Sequence, residues 1–326
     1  MGVTSRPCYR YTRTAPIRCA ALEPNVNRQA QAYLFAGAAI FLWSTVASAF
    51  KLSLRWLDPL QLLLFANIVS IVVLFTVLAG QRRLHQLRHY APRDLGRLAL
   101  LGLLNPFLYY ITVFEAYDLL PAQQAQPLNY TWAITLALLS VPLLGQRIGA
   151  KAFLALFVSY AGVVVIATEG RVLALEFTSL TGALLALGST VFWALYWIYN
   201  TRDSGDPVAG LFTGFCFSLP LIVVATALFS ELEIPPWQGA LGAAYVGMFE
   251  MGLAFVCWLQ ALKRSSTTAK VGNLIFLSPF LSLVFIHFLV GEAIHPATFI
   301  GLIFIVAGNV IQQWPARRSR AIAAHE

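Results

Sequence analysis

Glu250 is the one acidic residue near the middle of any long apolar run in this chain, and the interior of its run holds no Lys or Arg. A carboxyl group in such surroundings is costly unless it is protonated, meets a cation or bonds a neighbouring helix. Two chemistries fit it: pairing with the ammonium group of a ligand, or carrying a proton. A protonated Glu bonded to the next helix is the purely structural alternative. A second concentration of polar groups runs from Asn105 to Trp132, NPFLYYITVFEAYDLLPAQQAQPLNYTW. At helical spacing Asn105, Tyr109 and Thr112 fall on one face, and Gln123, Gln126, Pro127 and Tyr130 share a face of the following segment. Trp132 stands beside that second face. Upstream, Ser44, Ser48 and Lys51 share a face flanked by Trp43; downstream, Trp193 lies near Tyr196. Aromatic walls with a few polar handles suit a small amphipathic solute. For any single residue, ordinary interhelical hydrogen bonding is the alternative. Glu115, nearer the end of its run, reads as reaching the headgroups.

The elements that must position these residues are membrane spans. The chain is 59% hydrophobic and only 11% charged, against about a quarter charged in soluble domains. Its apolar residues recur in runs of about 20, the length that crosses the hydrocarbon. The expected fold is all-α, a polytopic membrane protein with ten transmembrane helices near 32–52, 59–80, 97–117, 121–144, 150–168, 178–199, 207–229, 238–262, 268–290 and 297–314. Counting Lys and Arg on alternating sides with the N-terminus inside puts 19 on the inner side and 3, Lys51, Arg55 and Arg171, on the outer. That bias predicts both termini in the cytoplasm. It also accounts for the net charge of +8 without nucleic acid. Trp56, Trp197, Trp237 and Trp314 fall at span ends and read as an interfacial belt.

An internal repeat is legible. Phe35 to Val46, FAGAAIFLWSTV, aligns with Leu180 to Val191, LTGALLALGSTV; Asp58-Pro59 recurs as Asp206-Pro207, and Ala161-Gly162 as Ala307-Gly308. Five spans per half is an odd number, so the copies insert in opposite directions. Inverted repeats of this kind mark alternating-access carriers, with substrate near the midplane. In this alignment Asn105 falls opposite Glu250. The expected organisation is a cytoplasmic tail over 1–31, repeats over 32–170 and 171–315, and a second cytoplasmic tail over 316–326. The first 30 residues are Arg-rich with no apolar run of signal-peptide length. Pro106, Pro127, Pro220 and Pro279 stand mid-span as candidate kinks, and Gly239, Ala243 and Gly247 form a ridge for close helix packing.

Other chemistries find no support. There is no Walker A loop, no HExxH and no Cys pair at metal spacing. Cys8, Cys19, Cys216 and Cys257 form no disulfide framework, and the five His are scattered. No cofactor is implied, and a membrane enzyme or a receptor is disfavoured.

On the FAGAAIFLWSTVASAFK opening, the two Asp-Pro starts and the repeat endings SYAGVVVIA and FIVAGNVI, the chain resembles the drug/metabolite transporter superfamily, in its ten-span EamA-type carriers. The NPFLYY and PLNYTW segments resemble the bacterial exporters of aromatic amino acids and related metabolites of the YddG type. The resemblance implies a carrier in the cell inner membrane that exports amino acids, especially Phe, Tyr and Trp, or other hydrophobic solutes through a central cavity walled by Tyr109, Tyr130, Trp132 and Trp193. A zwitterion would need Glu250 at its ammonium end and Asn105, Asn129, the tyrosines or Asn273 at its carboxylate, with Trp43 beside the route. Proton coupling and passive flux both stay open, as does an exporter of lipophilic drugs with no amino-acid preference.

Overall fold

The computed structural model describes residues 26–145, 150–173, 178–200, 205–265 and 273–313. Most of the N-terminal tail, the C-terminal tail, Arg147, Arg202, Lys270 and Trp314 lie outside the described residues, as does the side chain of Asn273.

The described residues are helical throughout, with no strand among them. The helices are α1 (Val26–Ser53), α2 (Pro59–Gly80), α3 (Pro92–Leu119), α4 (Ala122–Leu144), α5 (Ala150–Ala167), α6 (Leu180–Asn200), α7 (Pro207–Phe229), α8 (Trp237–Arg264), α9 (Leu274–Val290) and α10 (Pro296–Gln313). Seven of them, α1 to α4 and α6 to α8, are long and apolar enough to cross a membrane; α5, α9 and α10 are shorter apolar helices. Local chemistry sets the starts. The Asp58 and Asp206 carboxylates each accept two backbone N–H groups of the first turn, with a proline at the first helical position. α3 begins at Pro92, ahead of the expected 97, because the Asp94 carboxylate accepts the Ala91 N–H there.

The same two aspartates tie α2 to α7 as an antiparallel pair. Asp58 accepts the Ser230 hydroxyl at 2.5 Å beyond the end of α7. Asp206 pairs with Arg83 beyond the end of α2. α5 and α10 pack against each other along small residues: a side chain added at Gly162 would meet Phe304 and Ile305, and one at Gly308 would meet the Ala155 carbonyl and Ser159. The ridge of α8 packs on α2, with Gly239 against Leu57 and Gly247 against Ala66 and Val69. On α1, Ala32, Ala36 and Ala39 are fully buried and form a flat face on which Trp258, Ala261 and Phe276 pack. Small residues let helix backbones approach where lipid supplies no hydrophobic drive to associate.

Two of the helices that depart from regular geometry carry residues singled out from the sequence. α3 breaks at Asn105 (φ −144°, ψ 115°), ahead of Pro106, in a widened π-type turn over Leu103–Leu108. α8 carries a π-type stretch over Val246–Ala254, with Glu250 inside it. Widened turns of this kind change the helical phase and concentrate at functional sites. The break in α3 corrects the one-face reading of Asn105, Tyr109 and Thr112, which assumed an unbroken 3.6-residue period.

If the α5–α10 seam depends on bare backbone, Gly308→Val should cost about 1–3 kcal/mol of stability and lower the Tm of the purified protein. Gly37→Val, where an added side chain meets nothing within 4 Å, should leave the Tm in place. Equal shifts for the two would contradict this packing.

Candidate functional site

A cavity of about 100 Å³ lies among α1, α3, α4, α6, α8 and α9. Trp43, Tyr109, Asn129, Tyr130, Trp132, Trp193 and Glu250, all singled out from the sequence, line it together. Asn105 does not. It is 1% exposed and faces a separate pocket of about 10 Å³ shared with Tyr196 and Asn200. The break in α3 turns it away from Tyr109.

Hydrogen bonds fix the cavity wall. Tyr109 donates its hydroxyl to Asn129 Oδ1 at 3.3 Å, and Asn129 Nδ2 donates to Ser189 Oγ at 2.9 Å, joining α3, α4 and α6. Ser44 Oγ donates to Ser278 Oγ at 3.2 Å, joining α1 to α9. Tyr110, fully buried, donates to Glu250 Oε1 at 3.2 Å and so joins α3 to α8. Glu250 is 7% exposed, and its Oε2 is buried with no hydrogen-bond partner. In α4 the regular ladder lapses at Tyr130 and Thr131, one turn after Pro127. The Tyr130 carbonyl there accepts Asn309 Nδ2 of α10 at 3.4 Å.

The rings form a continuous arc. Trp258 lies 5.4 Å from Trp43, Trp43 lies 5.9 Å from Phe255, Phe255 lies 5.7 Å from Trp193, and Trp193 lies 4.7 Å from Tyr109. Tyr109 in turn contacts Tyr110, the ring that holds Glu250. The sequence reading missed Trp258, Phe255, Trp197, Phe50 and Tyr117. Trp258 was legible, because it follows Glu250 by about two helical turns on the same face. Trp197 is a correction: it lines the cavity, and its Nε1 is buried without a partner. Its place near a span end hid the inward direction of its ring. Trp56 and Trp237, by contrast, are exposed, as a belt requires.

One end of the cavity is held shut. Phe50 packs on Phe114 and Tyr117 with ring centroids 4.8 and 5.2 Å apart. Above them Lys51 Nζ donates to the carbonyls of Tyr117 at 2.7 Å and Leu120 at 2.9 Å. The Glu292 carboxylate accepts the N–H groups of Ala122 at 2.9 Å and Gln123 at 3.2 Å. Gln123 completes the tie, donating to the Ala293 carbonyl and accepting from the His295 N–H. A cation thus sits on the carbonyl end of α3 and an anion on the N–H end of α4, each opposing the local helix-end charge.

Comparison with known proteins bears on the family and the fold. Residues 30–168 and 180–311 each match the model of the EamA-like transporter family. The aromatic amino acid exporter YddG of Ancylobacter novellus is 28% identical over 89% of this chain and 99% of its own length. An uncharacterized transporter of Clostridium kluyveri is 26% identical over 78% of this chain and 83% of its own. A probable terminal-alkyne amino-acid exporter of Streptantibioticus cattleyicolor is 25% identical over 67% and 73%. A solved crystal structure superposes with a TM-score of 0.63 at 24% identity, covering 90% of this chain and 99% of its own, and speaks to the fold alone.

Removing the cation should loosen the closed end. Lys51→Met is expected to raise the rate at which a cysteine placed at Tyr117 reacts with a bulky maleimide, by about tenfold if roughly 1.4 kcal/mol of closing energy is lost. An unchanged labelling rate would show that Lys51 does not hold this end.

Proposed function

The chain belongs to the EamA-like transporter family and is a transporter, not an enzyme; on that premise we propose that it exports amino acids with aromatic or other hydrophobic side chains, and related metabolites, by alternating access through the central cavity. The observation that carries the reading is the joining of Glu250 and the aromatic arc in one enclosed space between the two matched regions. The names of two relatives, both amino-acid exporters, point the same way. The volume of about 100 Å³ is below the roughly 300–1,000 Å³ of sites for drug-sized ligands.

In this proposal the protein lies in the cell inner membrane as ten spans in two inverted five-helix repeats, over 32–170 and 171–315, with both termini cytoplasmic. The matched aspartate caps support the repeat. So do the paired bonds Ser44–Ser278 and Ser189–Asn129, and the irregular turns at Asn105 and around Glu250. The Lys and Arg asymmetry puts the α3–α4 turn outside, so the tied end is the outer gate in its closed state. Glu250 meets the substrate ammonium. Trp43, Trp132, Trp193, Tyr109 and Tyr130 enclose its body, and Asn129 and Asn273 take the polar remainder. Asn105 acts at the α3 break and not on the substrate.

Purified protein in liposomes should move labelled Phe and Trp, and no flux across a broad amino-acid panel would overturn the proposal. Trp193→Ala, which removes the ring between Tyr109 and Phe255, should raise KM by about tenfold or more, as loss of a central aromatic anchor does. Repeating the assay under an imposed pH gradient with Glu250→Gln tests protons as a second cargo. An unaltered rate in both would remove Glu250 as a coupling site.

A further inference from the structure

The cavity is electrically one-sided. Among the described residues, Glu250 is the one Asp, Glu, Lys, Arg or His that lines it. Glu250 makes no ion pair among the described residues, where the pairs are Arg83–Asp206 and Arg97–Asp94. Three lining residues, Glu250, Gln126 and Trp197, each carry a buried polar atom without a partner. Two of those atoms, Glu250 Oε2 and Gln126 Oε1, are acceptors, and Trp197 Nε1 is a neutral donor. Buried polar groups are normally satisfied, so unsatisfied ones on three residues that line one cavity point to the chemistry of a ligand. Most of the rest of the described wall is aromatic, with Val46, Val113, Ile275 and Asn129 between the rings, and ring faces are electronegative.

Building on the transport reading, we infer that the site selects by positive charge: it takes monocationic amines carrying an aromatic or apolar body, ahead of the corresponding zwitterions, and rejects carboxylates. An ammonium group set between Glu250 and the ring faces gains an ion pair, a bond to Gln126 Oε1 and cation–π attraction, each strengthened by the absence of water. A carboxylate in the same space faces a like charge and the negative faces of the rings. Indole N–H groups can orient it, but no Lys, Arg or His among the described lining residues neutralises it. A zwitterionic amino acid is therefore held by its ammonium end, and its carboxylate weakens the complex. Shape alone makes no such distinction, because the aromatic body is the same in all three charge classes.

Three ligands with one indole body separate the charge classes: tryptamine, tryptophan and indole-3-propionate. Their binding is measured calorimetrically on the full chain in nanodiscs at neutral pH. Tryptamine should bind at least about tenfold more tightly than tryptophan, a gap one favourable charge contact can supply, and indole-3-propionate should be weakest. Glu250→Gln should bring tryptamine and tryptophan to within about twofold. Tryptophan binding as tightly as tryptamine, or indole-3-propionate binding tightest, overturns the inference on the unaltered protein, whatever the variant does. If tryptophan flux in liposomes persists alongside that result, the exporter reading survives without the charge rule. If no indole binds and no amino acid moves, both fall.

Discussion

The Tyr110–Glu250 hydrogen bond is the contact on which the centre of the molecule turns. A carboxyl group buried among aromatic rings within the membrane has no water to turn to, so every bond it makes must come from the protein or a ligand. The protein supplies one, at 3.2 Å, from a tyrosine with no exposed surface. That bond joins α3 to α8, each at a widened turn or next to one, and sets the carboxyl at the end of the aromatic arc. The other oxygen is buried with no hydrogen-bond partner. A group paid for in this way is hard to explain as packing, since an apolar side chain of similar volume would fill the space at lower cost.

The same constraint organises the rest of the bundle. Polar side chains inside it are spent in short links between helices, as with Asn129 to Ser189, Ser44 to Ser278 and Thr135 to Thr190. Charges are kept to the ends, where they cap helices or tie neighbours. Lys51 and Glu292 close one mouth of the cavity by bonding backbone groups that the α3–α4 turn leaves unpaired. Asp58 and Asp206 each begin one helix and fasten the end of another. The mouth is closed by these backbone contacts at helix ends together with the packing of Phe50 on Phe114 and Tyr117.

Much of this was legible in the sequence. Apolar runs and Asp-Pro starts placed the helices to within a few residues, because apolar length and capping chemistry are local properties. Eight residues that line the cavity, Gln126 among them, had been singled out by type, by helical spacing or by the family resemblance, since polar and aromatic groups in an apolar run have few other uses. Trp197 was misread as a belt residue because a position near a span end does not reveal which way a ring points. Asn105 was set on the cavity face because a regular helix was assumed where Pro106 and the widened turn change the phase.

What the sequence determined by itself was the material: helices of membrane length, their caps, an internal similarity between halves, and one carboxyl group in an apolar run. These follow from hydrophobicity and hydrogen-bonding rules that act over a turn or two of chain. What only the tertiary structure decided was the company each residue keeps. Tyr110 and Glu250 lie 140 positions apart, and Lys51 reaches the α3–α4 turn 66 positions away. No local rule fixes such pairings; they depend on how small-residue faces let the helices approach and on where each helix breaks its period.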